Sequence, residues 1–227
     1  MSIFVISDLH LSFGVENKSM DVFNGWSGYV NKLKSNWNNL VKNQDTVVVV
    51  GDISWAMKLE EVLKDLQFLD SLNGKKILIK GNHEYWWESA TKVRNFLNKN
   101  KLHRIKILFN SNIEVENFCI CGTRSWNIIL KSQRDFKIYN RELGRLIKSL
   151  NNNSKLEKIV FLHYPPVYDS QEAKEIIDIL TEKKVKKCYY GHIHGSVVNK
   201  KIVVGDYKNI NFKLVSCDYL DFIPIQV

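Results

Sequence analysis

Apolar residues along this chain arrive in two rhythms. Short unbroken runs, "SIFVIS" at 2–7, "TVVVV" at 46–50 and "KKILI" at 75–79, read as buried strands, and the β-branched residues in them favour that conformation. Between them the spacing changes. Val30, Leu33, Trp37, Leu40 and Val41 fall on one face of a helix, as do Leu59, Val62, Leu63, Leu66, Leu69 and Leu72. A further helix is expected near 87–99, then strands near 105–109 and 113–121. The second half reads as helix 140–150, strand 158–166, helix 171–184 and strands over 186–192, 201–206 and 210–217. Strands alternating with helices and then a strand-rich half predict an α/β fold, with sheets covered by helices on the outside. No repeat or Pro/Gly-rich linker interrupts residues 1–227, so a single domain is expected. Two stretches, 11–26 and 122–136, read as long loops, either functional lids or plain surface excursions.

Composition narrows the class. No apolar run approaches the roughly 20 residues that span a bilayer. The opening "MSIFVISDLH" lacks a basic leader and a cleavage site, so it reads as a first strand and the expected location is cytoplasmic. The net charge of +9 raises the question of nucleic acid. Most of it is lysine scattered over predicted helices, with arginine scarce, so nucleic acid is not the favoured partner. Positive charge still favours an anionic substrate. Of the four cysteines, Cys119 and Cys121 share one face of a strand, while Cys188 and Cys217 stand apart. Without a second matching pair for a metal site, reduced thiols are expected.

The histidines carry the chemistry. Five of the six follow predicted strands: His10 in "SDLH", His83 in "GNHE", His163 in "FLHY", and His192 and His194 in "GHIH". Asp8, Asp52 and Asn82 share those strand ends. Sheets with parallel strands bind ligands beyond the carboxyl ends of those strands, so five segments deliver these groups to one rim. In the Asp-x-His and His-x-His pairs, extended residues two apart point the same way and can aim at one centre. One histidine after a strand is ordinarily a turn or core residue, but five in company with Asp and Asn are not explained by packing. Imidazole and carboxylate without thiolate suit Mn, Fe or Zn. Asp8, His10, Asp52, Asn82, His163, His192 and His194 are too many ligands for one ion and about right for two sharing a carboxylate, the apparatus of phosphate-ester hydrolysis.

The order Asp-x-His, Gly-Asp, Gly-Asn-His-Glu, His, Gly-His-x-His resembles the calcineurin-like metallophosphoesterases, from Asp8 to His194. The resemblance implies a four-layer α-β-β-α sandwich with two mixed sheets. It implies that Asp8, His10 and His194 hold one metal, that Asn82, His163 and His192 hold the other, and that Asp52 bridges them. It further implies a hydroxide between the metals that attacks phosphorus in line, with His83 acting on the transition state or leaving oxygen without ligating metal. The "ISWAMK" after Gly51-Asp52 departs from the acidic, arginine-containing continuation of the Ser/Thr protein phosphatases, and "GNHE" keeps the histidine that some nucleotide-lipid hydrolases replace. A small prokaryotic-type phosphohydrolase acting on a phosphorylated small molecule or nucleotide is what remains. A cyclic-nucleotide phosphodiesterase or nuclease of the same superfamily is the alternative. A non-catalytic binding scaffold ranks below both, since every ligand position is filled.

Three assignments stay open at this level. Glu84 either orients a histidine or favours a helix N-terminus. Arg124, in "GTRSW", either grips phosphate or is a surface loop residue. Trp55, Tyr85, Trp86, Trp87, Trp126, Tyr164 and Tyr190 gather near the presumed mouth, either to stack on a substrate ring or as packing.

Overall fold

In the computed structural model, which describes residues 1–151, 154–195 and 202–227, the chain folds into two sheets packed face to face. The first sheet is built from β1 (Ile3–Ile6), β2 (Thr46–Val50), β3 (Lys75–Ile79), β4 (Ile105–Ile107) and, at the end of the chain, β13 (Ile225–Gln226). Its order is β13-β1-β2-β3-β4, with β1 to β4 parallel and β13 antiparallel at the edge. The second sheet contains β5 (Ile113–Val115), β6 (Phe118–Thr123), β7 (Glu157–Leu162), β10 (Lys187–Tyr190), β11 (Gly205–Tyr207) and β12 (Ile210–Leu214). Its order is β11-β12-β10-β7-β6-β5, parallel in the middle with an antiparallel strand at each edge. A two-strand ribbon, β8 (Val167–Tyr168) and β9 (Gln171–Glu172), stands apart.

Alternation along the strands divides the core into three layers. In β2, Val47 and Val49 face the outer helices α1 (Tyr29–Leu40), α2 (Leu63–Ser71) and α3 (Ala90–Lys99), packing with Leu33, Trp37, Leu66, Leu69 and Val93. Val48 and Val50 face inward and meet Ile120, Ile159 and Phe161 of the second sheet. Val160 and Leu162 face the other outer layer, α4 (Gln133–Leu150) and α5 (Lys174–Glu182), with Leu146, Leu150, Ile177 and Leu180. The four-layer α-β-β-α sandwich and its two mixed sheets are therefore as expected. Two sheets bury strands on both faces, which explains the unbroken apolar runs.

Several elements differ from the periodicity reading. The stretch 113–121 is a hairpin, because Glu116 turns the chain at φ 53° and Ile113 pairs back on Ile120. The 122–136 stretch is not one long loop, since β6 runs to Thr123 and α4 starts at Gln133. Ser132 caps that helix: its hydroxyl accepts from the Asp135 N–H and donates to the Asp135 carboxylate. The second helix is shorter than its apolar face, because residues 59–62 form turns although Leu59 and Val62 are buried. Leu40 is exposed and the final strand β13 was not foreseen. Of the strand expected at 201–206, Lys201 lies outside the described residues, Ile202 makes a single bridge to Tyr168, and the ladder with β12 begins at Gly205. All four cysteines are buried and none forms a disulfide; Cys119 and Cys121 share the α4 face of β6 with their sulfurs 3.7 Å apart.

The sheets meet at one rim. The Ser7 N–H donates to the Val215 carbonyl, the Val215 N–H to Tyr190, and the Cys217 N–H back to Ser7, so the end of β1 joins the extension of β12. Phe161 holds the interior just below this rim, stacked on Tyr189 with ring centres 5.4 Å apart. Phe161→Ala should cost about 3–5 kcal/mol, the usual penalty for emptying a buried aromatic site, read as a lowered midpoint in urea unfolding.

Candidate metal centre

Beyond β1 and β2 the chain keeps a ladder of backbone bonds. The Asp8 N–H donates to Gly51 O at 3.0 Å, His10 N–H to Asp52 O at 3.0 Å and Leu11 N–H to Ile53 O at 2.9 Å. Asp8, His10, Asp52 and His192 all adopt left-handed backbone, with φ 57°, 46°, 51° and 73°. Asp and His tolerate that region better than most residues, but each such position is strained. Asp8 and His10 are turned toward one centre while Leu9 between them packs into the core.

Two ligand groups result. Donor atoms of Asp8, His10 and His194 lie within 4.8 Å of one another, and so do those of Asp52, His163 and His192. Asn82 joins the second group, its Oδ1 2.7 Å from His163 Nε2. Asp52 faces both: Oδ1 lies 3.4 Å from His163 Nε2 and Oδ2 lies 3.9 Å from His10 Nε2. All seven residues expected as ligands are thus brought together. His83 belongs to neither group; its Nε2 is 4.0 Å from Asp52 Oδ2, and the ring is half-buried, edge-on to Trp55.

The donor set fits cations. His10 is fully buried, and among the described residues neither of its ring nitrogens has a hydrogen-bond partner. Burial lowers the pKa of His10 and of His192 to about 4, so both rings are neutral and ready to ligate. His163 donates from Nδ1 to the Val50 carbonyl at 2.9 Å, which turns Nε2 toward the centre. Burial opposes its charge, but the carboxylates of Asp52, Asp8 and Glu84 outweigh it and raise the pKa to about 9. A proton on Nε2, facing the oxygens of Asn82 and Asp52, therefore stands where a metal would bind. For Asp52 burial works upward, yet His163, His10 and the His83 N–H together hold it well below the ordinary carboxylate range.

A supporting layer fixes this geometry. Asp8 accepts from the His192 N–H and from the hydroxyls of Ser7 and Ser216. Glu84 takes a role outside both readings offered for it. Buried, it accepts the N–H groups of Gly81, Asp52 and Ile53, tying the end of β3 to the end of β2. That close approach requires glycine at two positions. A Cβ on Gly81 would strike the Asp52 N–H and carboxylate, and one on Gly51 would strike the His163 ring.

The profile of the calcineurin-like phosphoesterase family matches residues 1–196. The chain belongs to that family. Among curated proteins, an uncharacterized protein of Methanocaldococcus jannaschii is 31% identical over 87 residues, 38% of this chain and 48% of the relative, so the match spans about half of that protein's length. Among solved structures, the phosphopantetheinyl hydrolase of Mycobacterium tuberculosis superposes with a TM-score of 0.60 at 15% identity, covering 100% of this chain and 95% of its own. A protein of unknown function from Aquifex aeolicus gives 0.56 at 16% identity, covering 99% and 95%. At these identities the likeness shows a shared fold.

The remaining sequence candidates separate in this phosphoesterase. Trp86, Trp87 and Tyr190 are buried packing. Trp55 stacks on His10 with ring centres 4.7 Å apart, and Tyr164 lies on His192 at 4.1 Å. Tyr85 is exposed. Arg124 bonds Glu142 at 3.2 Å and lies over Trp126, which anchors its loop to α4. Residues that the sequence reading passed over are Ser7, Ser216 and Trp26, the last edge-on to both His10 and His194.

Two outcomes follow from this geometry. Mn filling the His163 group at pH 7.5 should displace about one proton per chain, since metal ligation requires the deprotonated ring; calorimetry in buffers of differing ionisation enthalpy reads that number. Glu84→Gln replaces one accepting oxygen with a donor facing backbone N–H groups, and should weaken Mn binding about 10–100-fold with the fold intact by circular dichroism.

Proposed function

We propose that this phosphoesterase is a binuclear metal-dependent phosphohydrolase cleaving a phosphomonoester or phosphodiester of a small molecule or nucleotide. The observation that carries the reading is Asp52, whose two oxygens face the two ligand groups separately. Bound Mn, Fe or Zn ions supply acidity to water and neutralise phosphate charge. The protein's own residues do the rest. Asp8, His10 and His194 define one pole, Asn82, His163 and His192 the other, and Asp52 sets their separation. Trp55 and Trp26 shield His10 from water, which strengthens electrostatic interactions within the site.

His83 is assigned to the reacting phosphate. Among the described residues its Nδ1 has no hydrogen-bond partner, and Trp55 and Tyr85 hold the ring edge-on on either contact. Burial lowers its pKa, and a phosphate oxygen beside it would raise the pKa again, so substrate itself prepares the imidazole to donate a proton. Arg124 enters as a candidate phosphate contact through the guanidinium edge that Glu142 does not engage. Among the described residues no helix is long and apolar enough to cross a membrane.

Asp52→Asn should weaken both metals and abolish turnover, whereas His194→Ala should mainly affect one; elemental analysis distinguishes them, and full occupancy in Asp52→Asn would refute the bridging role. His83→Ala should keep both metals and lower kcat about 10²–10⁴-fold. The loss should be larger for an alkyl phosphate ester than for a nitrophenyl ester, whose leaving group needs little protonation. A metal-loaded protein inactive on every simple mono- and diester would count against the hydrolase reading as a whole.

A further inference from the structure

Two grooves flank the candidate metal centre. The first, about 250 Å³, begins at His192 and is walled by Ile128, Ile129, Tyr164 and Tyr168. The second, about 680 Å³, begins at His194 and is walled by Phe23, Trp26, Trp55 and Phe222. They have no lining residue in common. Each has an aromatic wall packed on a candidate ligand of the group it adjoins: Tyr164 on His192 at 4.1 Å, and Trp55 on His10 at 4.7 Å. Both stretches singled out as long connections contribute, 11–26 to the second groove and 122–136 to the first.

The grooves are short of cations although the chain carries a net charge of +9. Among the described residues neither lining contains lysine or arginine. The linings include Asp169 in the first groove and Asp218 and Asp221 in the second, and Asp221 is ion-paired with Lys32. Lys18 stands nearby, its Nζ 5.7 Å from the centre of the Trp55 ring. A diphosphate or a nucleic-acid strand would carry further negative charge into at least one groove, where among the described residues no lysine or arginine of the lining is present to pair with it. A monoester has one organic substituent and leaves the other apolar groove empty. A diester has two substituents and a single charge, matching two apolar arms around one cationic centre.

We propose that the substrate is a phosphodiester joining two largely apolar alcohols, one lying in each groove. This rests on the phosphohydrolase reading above and narrows it. In the reaction a water oxygen forms the new bond to phosphorus and one P–O ester bond breaks. Its electron pair leaves on the alcohol oxygen, which takes up a proton, so the products are one alcohol and one phosphomonoester.

The test uses the Mn-reconstituted full chain and two probes that cannot be hydrolysed, diphenylphosphinate with two P–C bonds and phenylphosphonate with one. Ile129, 49% exposed in the first groove, and Phe23, 56% exposed in the second, can be changed without opening the core. By calorimetry diphenylphosphinate should bind about tenfold more tightly than phenylphosphonate, because a second ring is buried, although the phosphonate carries more charge. Ile129→Glu and Phe23→Glu should each weaken the phosphinate, while at most one should weaken the phosphonate. Equal or tighter phosphonate binding, or a groove variant without effect on the phosphinate, overturns the proposal. Turnover of bis(p-nitrophenyl) phosphate should exceed that of p-nitrophenyl phosphate in kcat/KM. Preference for the monoester overturns the diester assignment and leaves the hydrolase reading standing. Hydrolysis of neither, with both metals bound, defeats the hydrolase reading and with it this proposal.

Discussion

A fully buried imidazole with no hydrogen-bond partner at either nitrogen among the described residues is an expense that folding alone does not explain. His10 is that group, closed in by Trp55 and Trp26. Leaving a buried polar atom unsatisfied costs about 1–3 kcal/mol, and His10 has two such atoms. Around it, four residues sit in left-handed backbone and several carboxylate and imidazole groups converge. Packing does not reward such an arrangement, whereas a cation does, because it turns the same lone pairs from a penalty into bonds.

The rest of the structure holds this rim in place. Three apolar layers stabilise the sandwich below it, so local strain above can persist. Backbone bonds through Ser7 and Val215 join the two sheets where the ligands emerge. Glu84 binds the turns after β2 and β3 to each other, and the two glycines of those turns permit the contact. The candidate metal centre is therefore a joint between the two halves of the sandwich, each half supplying some of the candidate ligands.

Much of this was legible in the sequence because parallel strands put their carboxyl ends on one side. Once β1, β2, β3, β7 and β10 were read as strands, the residues after them had to share a rim, and the structure gathers all seven expected ligands there. What stayed hidden depends on contacts distant in sequence. The Glu84 carboxylate meets N–H groups more than 30 positions away in the chain, which no local spacing announces. The β13 strand is two residues long and exists by pairing with β1. The start of α4 could have been found, since "SQRD" at 132–135 is a capping box, but the apolar period becomes clear only later in that helix. The hairpin at Glu116 was missed because alternation continues on both sides of the turn.

The central claim is that the Asp52 carboxylate stands between two metal ions. Anomalous diffraction from crystals of the Mn-loaded protein, recorded on either side of the manganese edge, tests it most directly. The account predicts two peaks per chain about 3.5–4 Å apart, one beside Asp8, His10 and His194 and the other beside Asn82, His163 and His192, with an oxygen of Asp52 next to each. A single peak, or two peaks of which one lies away from Asp52, would contradict it.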